Sequence, residues 1–100
     1  MELVRKGRFP RPVQQVDVAR EWARRGYDCR RFVDPPGQEW NGFVHGTNEL
    51  VTVVEGCLEC TVSGQTVRLE VGDELFIARD AVHSVRNVHG GTTRWLFGYD

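Results

Sequence analysis

Hydrophobic and polar residues follow two different periods, and the change between them divides the chain. Between Val13 and Arg25, apolar residues recur at the three- and four-residue spacing of an amphipathic helix. Pro12 before this segment and Gly26 after it suit the start and the end of a helix. From residue 27 onward the apolar runs are short, and turn residues separate them. The pattern therefore predicts one N-terminal helix followed by an all-β body.

The predicted helix is expected to pack against the outside of the β body. Its apolar stripe contains Val13, Val16, Ala19 and Ala23, and Trp22 lies next to that stripe. Buried aromatic side chains act mostly in packing. We therefore expect Trp22 to anchor the helix on the sheet.

The β body is predicted to contain eight short strands. Asp34-Pro35-Pro36-Gly37 is the sharpest break, and most later turns contain glycine. The strands are expected near residues 27–33, 39–45, 50–55, 57–63, 65–69, 74–77, 84–87 and 92–99. Many short strands at regular spacing are typical of an all-β sandwich or barrel.

The length of 100 residues predicts a single domain. Residues 1–36 are expected to form an extended arm, the helix and the first strand, and residues 37–100 to form the barrel core. The longest apolar run is far shorter than the ~20 residues of a membrane-spanning helix. The N-terminus also lacks the apolar segment of a signal peptide. We therefore expect a cytoplasmic protein that does not contact membranes.

Charge is unevenly distributed, but its pattern does not indicate a nucleic-acid partner. Residues 1–31 contain nine Lys or Arg and four Asp or Glu, a net charge of +5. Residues 32–100 contain four Lys or Arg and ten Asp or Glu, a net charge of −6. The arginines of the first segment are scattered, without interleaved aromatic residues or a recognition helix. This basic segment is expected to lie on the acidic body of its own subunit or of a partner subunit.

A C-x-x-C pair, Cys57 and Cys60, falls in a predicted strand. Residues three apart on a strand point to opposite faces, so the two thiols would not converge on a metal or form a redox pair. We expect Cys60 to lie in the core beside Leu58 and Val62, with Cys57 on the other face.

Two histidines and one carboxylate lie where a barrel would bring them together. His45 and Glu49 flank the turn between two predicted strands, and His83 directly precedes a later strand. Imidazole and carboxylate ligands suit Fe, Mn, Ni or Zn. From spacing alone a second interpretation stays open. In that interpretation the three side chains hydrogen-bond one another, or backbone carbonyls, in a polar core.

Two spaced motifs resemble those of the cupin family. The first cupin motif is G-x5-H-x-H-x3-E-x6-G, and residues 37–56 keep every spacing with Phe43 in place of the first histidine. The second motif is G-x5-P-x-G-x2-H-x3-N. Residues 72–87 keep it with Ala78 and Asp80 in place of the proline and glycine. The chain is therefore identified as a small single-domain cupin, which implies a jelly-roll barrel.

The resemblance implies that His45, Glu49 and His83 are metal ligands, and that the fourth family ligand is missing because Phe43 cannot coordinate. One alternative is a divalent metal (Fe, Mn, Ni, Zn or Cu) held by three side chains beside an apolar wall. The other is a degenerate site without metal. The side chains expected to line the ligand pocket are Trp40, Phe43, Val51, Val53, Ile77, Val85 and Trp95.

Three functions are compatible with this interpretation. The first is a metal-dependent enzyme, such as a dioxygenase or an isomerase, that converts a small molecule. The second is a non-catalytic protein that binds or senses a small ligand. The third is an interaction cupin with a degenerate site. Small cupins resemble known homodimers, and residues 9–33 are the expected dimer contact.

Overall fold

The computed structural model describes residues 3–100, and these residues form one helix and nine strands. The first two residues of the predicted arm lie outside the described residues. In chain order the elements are β1 (Val4–Arg5), α1 (Gln15–Arg24), β2 (Arg30–Asp34), β3 (Glu39–Phe43), β4 (Glu49–Glu55), β5 (Leu58–Val62), β6 (Gln65–Leu69), β7 (Glu74–Ile77), β8 (His83–Asn87) and β9 (Thr93–Tyr99).

Two antiparallel sheets pack against each other as a jelly roll. One sheet has the strand order β1-β7-β4-β9-β2, and the other has the order β3-β8-β5-β6. Inward-facing residues of both sheets form the main core, because successive side chains of a strand point to opposite faces. The predicted all-β jelly roll with one outer helix is confirmed.

β4 lies at the centre of the five-stranded sheet and is buried on both faces. Val51 and Val53 belong to the core between the sheets. Leu50 instead packs into a second cluster with Leu96 of β9 and the residues of the helix. The helix therefore covers the outer face of this sheet, as predicted.

The helix packs through a different face from the one that the apolar stripe predicted. Val18 and Trp22, four residues apart, are completely buried, whereas Val16 is 62% exposed and Ala23 is also exposed. Residues two apart on a helix point about 200° apart, so Val16 cannot share the face of Val18. The prediction for Trp22 is confirmed, and its Nε1–H donates to Glu74 Oε1 at 2.8 Å. Among residues 3–100 no helix has the length and hydrophobicity needed to cross a membrane.

Strand boundaries near His45 and His83 differ from the predicted ones. β3 ends at Phe43, after a shift of register between Trp40 and Phe43. His45 therefore lies in the loop before β4 and not in the strand that we predicted to include it. β8 begins one residue earlier than predicted, at His83, and pairs this residue directly with Phe43.

Two of the motif glycines are required by the backbone. Gly56 and Gly72 have φ values of +92° and +87°, in the region that L side chains rarely adopt. A Cβ at Gly72 would collide with the carbonyl oxygen of Phe9, and one at Gly56 would collide with the side chain of Thr93. These two positions therefore serve the fold and not the chemistry.

Asp73 fastens the N-terminal segment to the sheet. Its carboxylate accepts hydrogen bonds from Lys6 Nζ at 2.8 Å and from the backbone N–H groups of Gly7 and Glu70, each at 2.9 Å. Burial alone would raise the pKa of Asp73, but these hydrogen bonds outweigh it and hold the pKa below its usual value of 3.8. The ionised group therefore stabilises the fold above that value, and this contribution is lost as the pH falls through the lower folded pKa.

Replacing Asp73 with Asn is expected to lower the free energy of unfolding at neutral pH by about 1–3 kcal/mol, because a buried, charge-assisted hydrogen-bond acceptor is lost. The loss should shrink in strong acid, where the wild-type carboxylate is protonated as well. Urea unfolding at neutral pH and in strong acid measures the loss in the free energy of unfolding. Asp80→Asn, in an exposed turn, is the control and should change little. A loss for Asp73→Asn that does not depend on pH would contradict this account.

Candidate metal centre

Two cross-strand pairs, one in each sheet, bring the polar residues together. Glu49 lies opposite Tyr99 in the pairing of β4 with β9, and Phe43 lies opposite His83 in the pairing of β3 with β8. Directly opposed residues of antiparallel strands share one face of their sheet. All four line the same cavity between the sheets, and the β3–β4 loop carries His45 into that cavity as well.

The side chains of His45, Glu49 and His83 converge on one point. Each offers one ligand atom, and these atoms lie within 4.8 Å of one another. Nε2 of His83 lies 3.5 Å from Oε1 of Glu49, and Nε2 of His45 lies 3.7 Å from the same oxygen. The structure thus brings together the three residues that the sequence singled out, from two strands and a loop.

The oxygen at the centre of this cluster has no hydrogen-bond partner. Glu49 Oε1 is the one fully buried side-chain oxygen or nitrogen in residues 3–100 without a partner. Glu49 is only 5% exposed, and burial raises the pKa of its carboxyl to about 7. Leaving such an atom unpaired is costly. Of the polar-core interpretation, the contact of His83 with a backbone carbonyl is present, but Oε1 of Glu49 accepts no hydrogen bond from either histidine.

The tautomer of His83 places a second hydrogen-bond acceptor opposite the unpaired oxygen of Glu49. Nδ1 of His83 lies 3.1 Å from the backbone carbonyl oxygen of Ala81. A carbonyl oxygen only accepts, so Nδ1 carries the proton, and in the neutral ring Nε2 carries the lone pair. That lone pair faces Oε1 of Glu49. When Glu49 is ionised, two acceptors confront each other, and a cation between them would relieve the conflict.

The residues present fit a divalent metal. Imidazole nitrogen and carboxylate oxygen are donors that Zn, Fe, Mn, Ni and Cu accept. Metal-binding histidines usually donate their other ring N–H to a carboxylate or a backbone carbonyl, as His83 does to Ala81. Burial, and after it the neighbouring His83, lowers the pKa of His45, which keeps this imidazole neutral and able to act as a ligand.

Tyr99 adds a hydroxyl group that the sequence analysis did not assign to the site. Its Oη lies 3.3 Å from Nε2 of His45. Burial, and after it the charge of Glu49, raises the pKa of Tyr99, so the hydroxyl stays protonated at neutral pH and can donate. A signal was present in the sequence, because Trp95, Phe97 and Tyr99 alternate along β9 and therefore share one face.

The cavity beside the cluster has a volume of about 160 Å³ and a largely aromatic wall. Four of the seven predicted pocket residues, Trp40, Phe43, Val85 and Trp95, line it. Two further aromatic residues, Phe32 and Phe97, also line it. The full lining consists of Phe32, Trp40, Phe43, His45, Glu49, His83, Val85, Trp95, Phe97 and Tyr99.

The other three predicted pocket residues lie in the packed core. Val51 and Val53 follow Glu49 on the same inward face of β4, but they lie successively farther from the cavity and are completely buried. Ile77 pairs with Glu49 across β4 and β7 and is also part of that core. Strand alternation identified the correct face for the two valines, but it does not show how far along the strand the cavity extends.

Phe43 lies at the mouth of the cavity. It is 38% exposed, more than any other residue of the lining, and its ring centroid lies 6.1 Å from those of both His45 and His83. An aromatic ring therefore occupies the position beside the two imidazoles where the cupin motif has another histidine.

Replacing Phe43 with His is expected to strengthen metal binding by about tenfold or more, because the new imidazole would add a fourth protein ligand. Titration of metal-free wild-type and variant protein with Zn²⁺ measures the change. Phe43→Leu keeps an apolar side chain at the mouth and is the control. Equal affinities of the histidine and leucine variants would show that position 43 does not face the metal.

The other candidate groups lie outside this site. Cys60 is buried in the core with Leu58 and Val62, as predicted. Cys57 is buried as well, and its Sγ lies 3.2 Å from Nη2 of Arg68. All three cysteines are free. His89 is exposed in the loop after β8 and does not line the cavity.

Comparison with known proteins supports the resemblance. The family model for the cupin domain matches residues 30–99. A comparison with curated protein sequences finds no match. Among solved structures the chain is similar to a cupin 2 domain-containing protein from Halorhodospira halophila, with 24% identity and a TM-score of 0.69 over 74% of this chain and 52% of the other. This chain thus spans about half of that protein.

Two further structural matches are enzymes by their descriptions. Salicylate 1,2-dioxygenase from Pseudoaminobacter salicylatoxidans, solved as adducts with gentisate, has 19% identity and a TM-score of 0.68 over 74% of this chain and 20% of its own. A predicted oxalate decarboxylase from Thermotoga maritima has 22% identity and a TM-score of 0.68 over 80% of this chain and 71% of its own. At these identities the matches establish the fold alone.

Proposed function

Because the chain belongs to the cupin domain family, we propose that it holds one divalent metal at His45, Glu49 and His83 and converts a small molecule in the adjoining cavity. The observation that carries this proposal is the buried oxygen of Glu49. It has no hydrogen-bond partner, although two imidazole nitrogens lie within 3.7 Å of it. A bound cation would give this oxygen its missing partner.

The number of protein ligands favours a reactive centre over a purely structural one. Structural zinc sites are closed by four protein ligands, whereas catalytic sites keep a position for water or substrate. Phe43 replaces the fourth side-chain ligand here and leaves such a position. When bound, the metal would supply Lewis-acid polarisation of a substrate oxygen or activation of a water molecule.

The side chains around the ligands have separate roles in this proposal. The bond from Nδ1 of His83 to the carbonyl of Ala81 fixes the ring so that Nε2 faces the cluster. The protonated hydroxyl of Tyr99, whose Oη lies 3.3 Å from Nε2 of His45, is a proton donor beside the cluster. The ring of Phe43 shields the cluster from bulk water at the mouth.

The chain offers a matched pair of histidine variants to test the metal site. Metal-free wild-type protein titrated calorimetrically with Zn²⁺ or Mn²⁺ should bind one ion per chain. His83→Ala should weaken this binding by about a hundredfold or more, since loss of a direct ligand exceeds the effect of losing an outer contact. His89→Ala, which removes an exposed histidine outside the site, should bind like the wild type. Equal binding by the two variants would refute the assignment.

The step from binding to conversion needs a second measurement on the same preparations. Protein loaded with a redox-active metal such as Mn²⁺ should consume oxygen or convert a candidate substrate, and metal-free protein and the His83→Ala variant should not. Ligand-dependent thermal stabilisation without turnover would instead support the non-catalytic binding function.

A further inference from the structure

The two tryptophans of the cavity wall are held by one buried carboxylate. Asp34, at the end of β2, is only 1% exposed. Its Oδ1 accepts the Nε1–H of Trp40 at 3.1 Å, and its Oδ2 accepts the Nε1–H of Trp95 at 3.0 Å. Trp40 belongs to one sheet and Trp95 to the other. Asp34 therefore ties the two walls of the cavity together.

This arrangement removes the indole N–H groups from the cavity. Both are already donated to Asp34, so neither is available to a ligand. Trp40 and Trp95 thus present only ring surface to the cavity. The carboxylate of Asp34 is satisfied by the same two bonds and is absent from the lining.

Phe32 orders the remaining aromatic wall. Its ring makes edge-to-face contacts with Trp40, Trp95 and Phe97, at centroid distances of 5.4, 5.5 and 6.2 Å. Such pairs are the preferred geometry for aromatic rings and resist reorientation. The aromatic wall beside the three candidate ligands is therefore preformed.

Among residues 3–100 the lining contains no lysine or arginine. Apart from the two indole N–H groups already donated to Asp34, its polar side-chain atoms belong to the three candidate ligands and Tyr99. If a bound small molecule carried a second anionic group, far from His45, Glu49 and His83, that group would be buried without a partner. The cavity volume of about 160 Å³ is close to that of an engineered apolar cavity of about 150 Å³ that binds benzene. The cavity is therefore sized for one ring.

We infer that the ligand is a single-ring aromatic compound with one oxygen-donor group, a carboxylate or a phenolate, directed at His45, Glu49 and His83. Its ring lies against the wall formed by Phe32, Trp40, Trp95 and Phe97. Asp34 is a positioning residue that holds this wall. The inference rests on the proposed metal site, because the metal anchors the oxygen.

Zn²⁺-loaded protein tests the inference with three probes: benzoate, acetate and terephthalate. Calorimetry should show benzoate binding at least about tenfold tighter than acetate, because only benzoate buries a ring. Terephthalate should bind at least about tenfold more weakly than benzoate, because its second carboxylate would enter an apolar wall.

A matched pair of phenylalanine variants locates the ring. Phe97→Leu removes an aromatic face from the cavity. It should lower the affinity for benzoate by about three- to tenfold and leave the affinities for acetate and Zn²⁺ unchanged. Phe76→Leu changes a half-buried ring of the outer cluster, outside the cavity, and should leave all three affinities unchanged.

The outcomes separate the two proposals. Normal Zn²⁺ binding with benzoate no tighter than acetate would overturn the inferred ligand class and leave the metal site intact. Equal effects of the two phenylalanine variants, or terephthalate as tight as benzoate, would also overturn it. Failure of wild-type protein to bind Zn²⁺ would overturn the metal site and the inference together.

Discussion

Replacement of Glu49 with Gln is expected to abolish tight metal binding and, at the same time, to make the metal-free protein more stable. The carboxylate oxygen that lacks a partner lies 3.5 Å from the lone pair on Nε2 of His83. An amide N–H in its place would donate to that lone pair. The gain in the free energy of unfolding should be about 1–3 kcal/mol, the usual cost of an unsatisfied buried polar group.

A polar-core function of Glu49 predicts the opposite sign. If Glu49 served mainly to hydrogen-bond the two histidines, the substitution would destabilise the protein. Urea unfolding of metal-free protein, at a pH above the Glu49 pKa of about 7, decides between the two. Glu59→Gln removes an exposed carboxylate that pairs with Arg86 and is the control, with an expected change within about 0.5 kcal/mol. A destabilised Glu49→Gln variant that still binds metal would contradict the account.

Replacement of Trp22 with Ala is expected to be the most destabilising single change in the helix. Trp22 is completely buried between the helix and the five-stranded sheet, and it also donates a hydrogen bond to Glu74. Removing such a side chain costs about 3–5 kcal/mol. Small domains are stable by only about 5–15 kcal/mol, so the variant should be partly unfolded at moderate temperature.

Two companion variants make this prediction specific. Trp22→Phe keeps most of the ring but loses the N–H, so that within residues 3–100 Glu74 keeps Arg25 as its one side-chain partner. An intermediate loss is expected. Val16→Ala, on the exposed side of the same helix, should change the free energy of unfolding by less than about 0.5 kcal/mol. Thermal and urea unfolding measure all three. A larger loss for Val16→Ala than for Trp22→Ala would reverse the assigned helix face.

Local signals in the sequence were sufficient for the all-β fold class and, through two spaced motifs, for the three candidate metal ligands that the structure brings together. Short strands separated by glycine turns predicted an all-β sandwich or barrel, and the resemblance to the cupin motifs implied the jelly roll. Gly56 and Gly72 occupy turns that require their conformation. His45 and Glu49 are separated by one turn, so the chain itself keeps them close. His83 joins them through the pairing of β8 with β3, and the resemblance to the second cupin motif marked it as a candidate ligand.

The extent of the cavity and the long-range hydrogen bonds of Asp34 could not be predicted from local sequence patterns. Val51 and Val53 alternate with the correct period, yet the cavity ends before it reaches them. Asp34 is adjacent to two prolines and a glycine, so its local sequence indicated only a turn. Its role follows from hydrogen bonds to Trp40 and Trp95, which lie 6 and 61 residues away along the chain.

The helix shows the same limit on a smaller scale. The apolar stripe predicted from the sequence included Val16 and not Val18, whereas the structure buries Val18 and exposes Val16. The buried face was decided by Trp22, because the large ring and its bond to Glu74 fix the rotation of the helix. Once Trp22 faces inward, Val18 follows it and Val16 is turned toward solvent.

Elemental analysis of wild-type protein purified without chelator tests the proposed metal site. We expect close to one Fe, Mn, Ni, Zn or Cu ion per chain, retained by His89→Ala and lost from His83→Ala and Glu49→Gln. Wild-type protein that contains no metal and cannot be reloaded by any of these ions would contradict it.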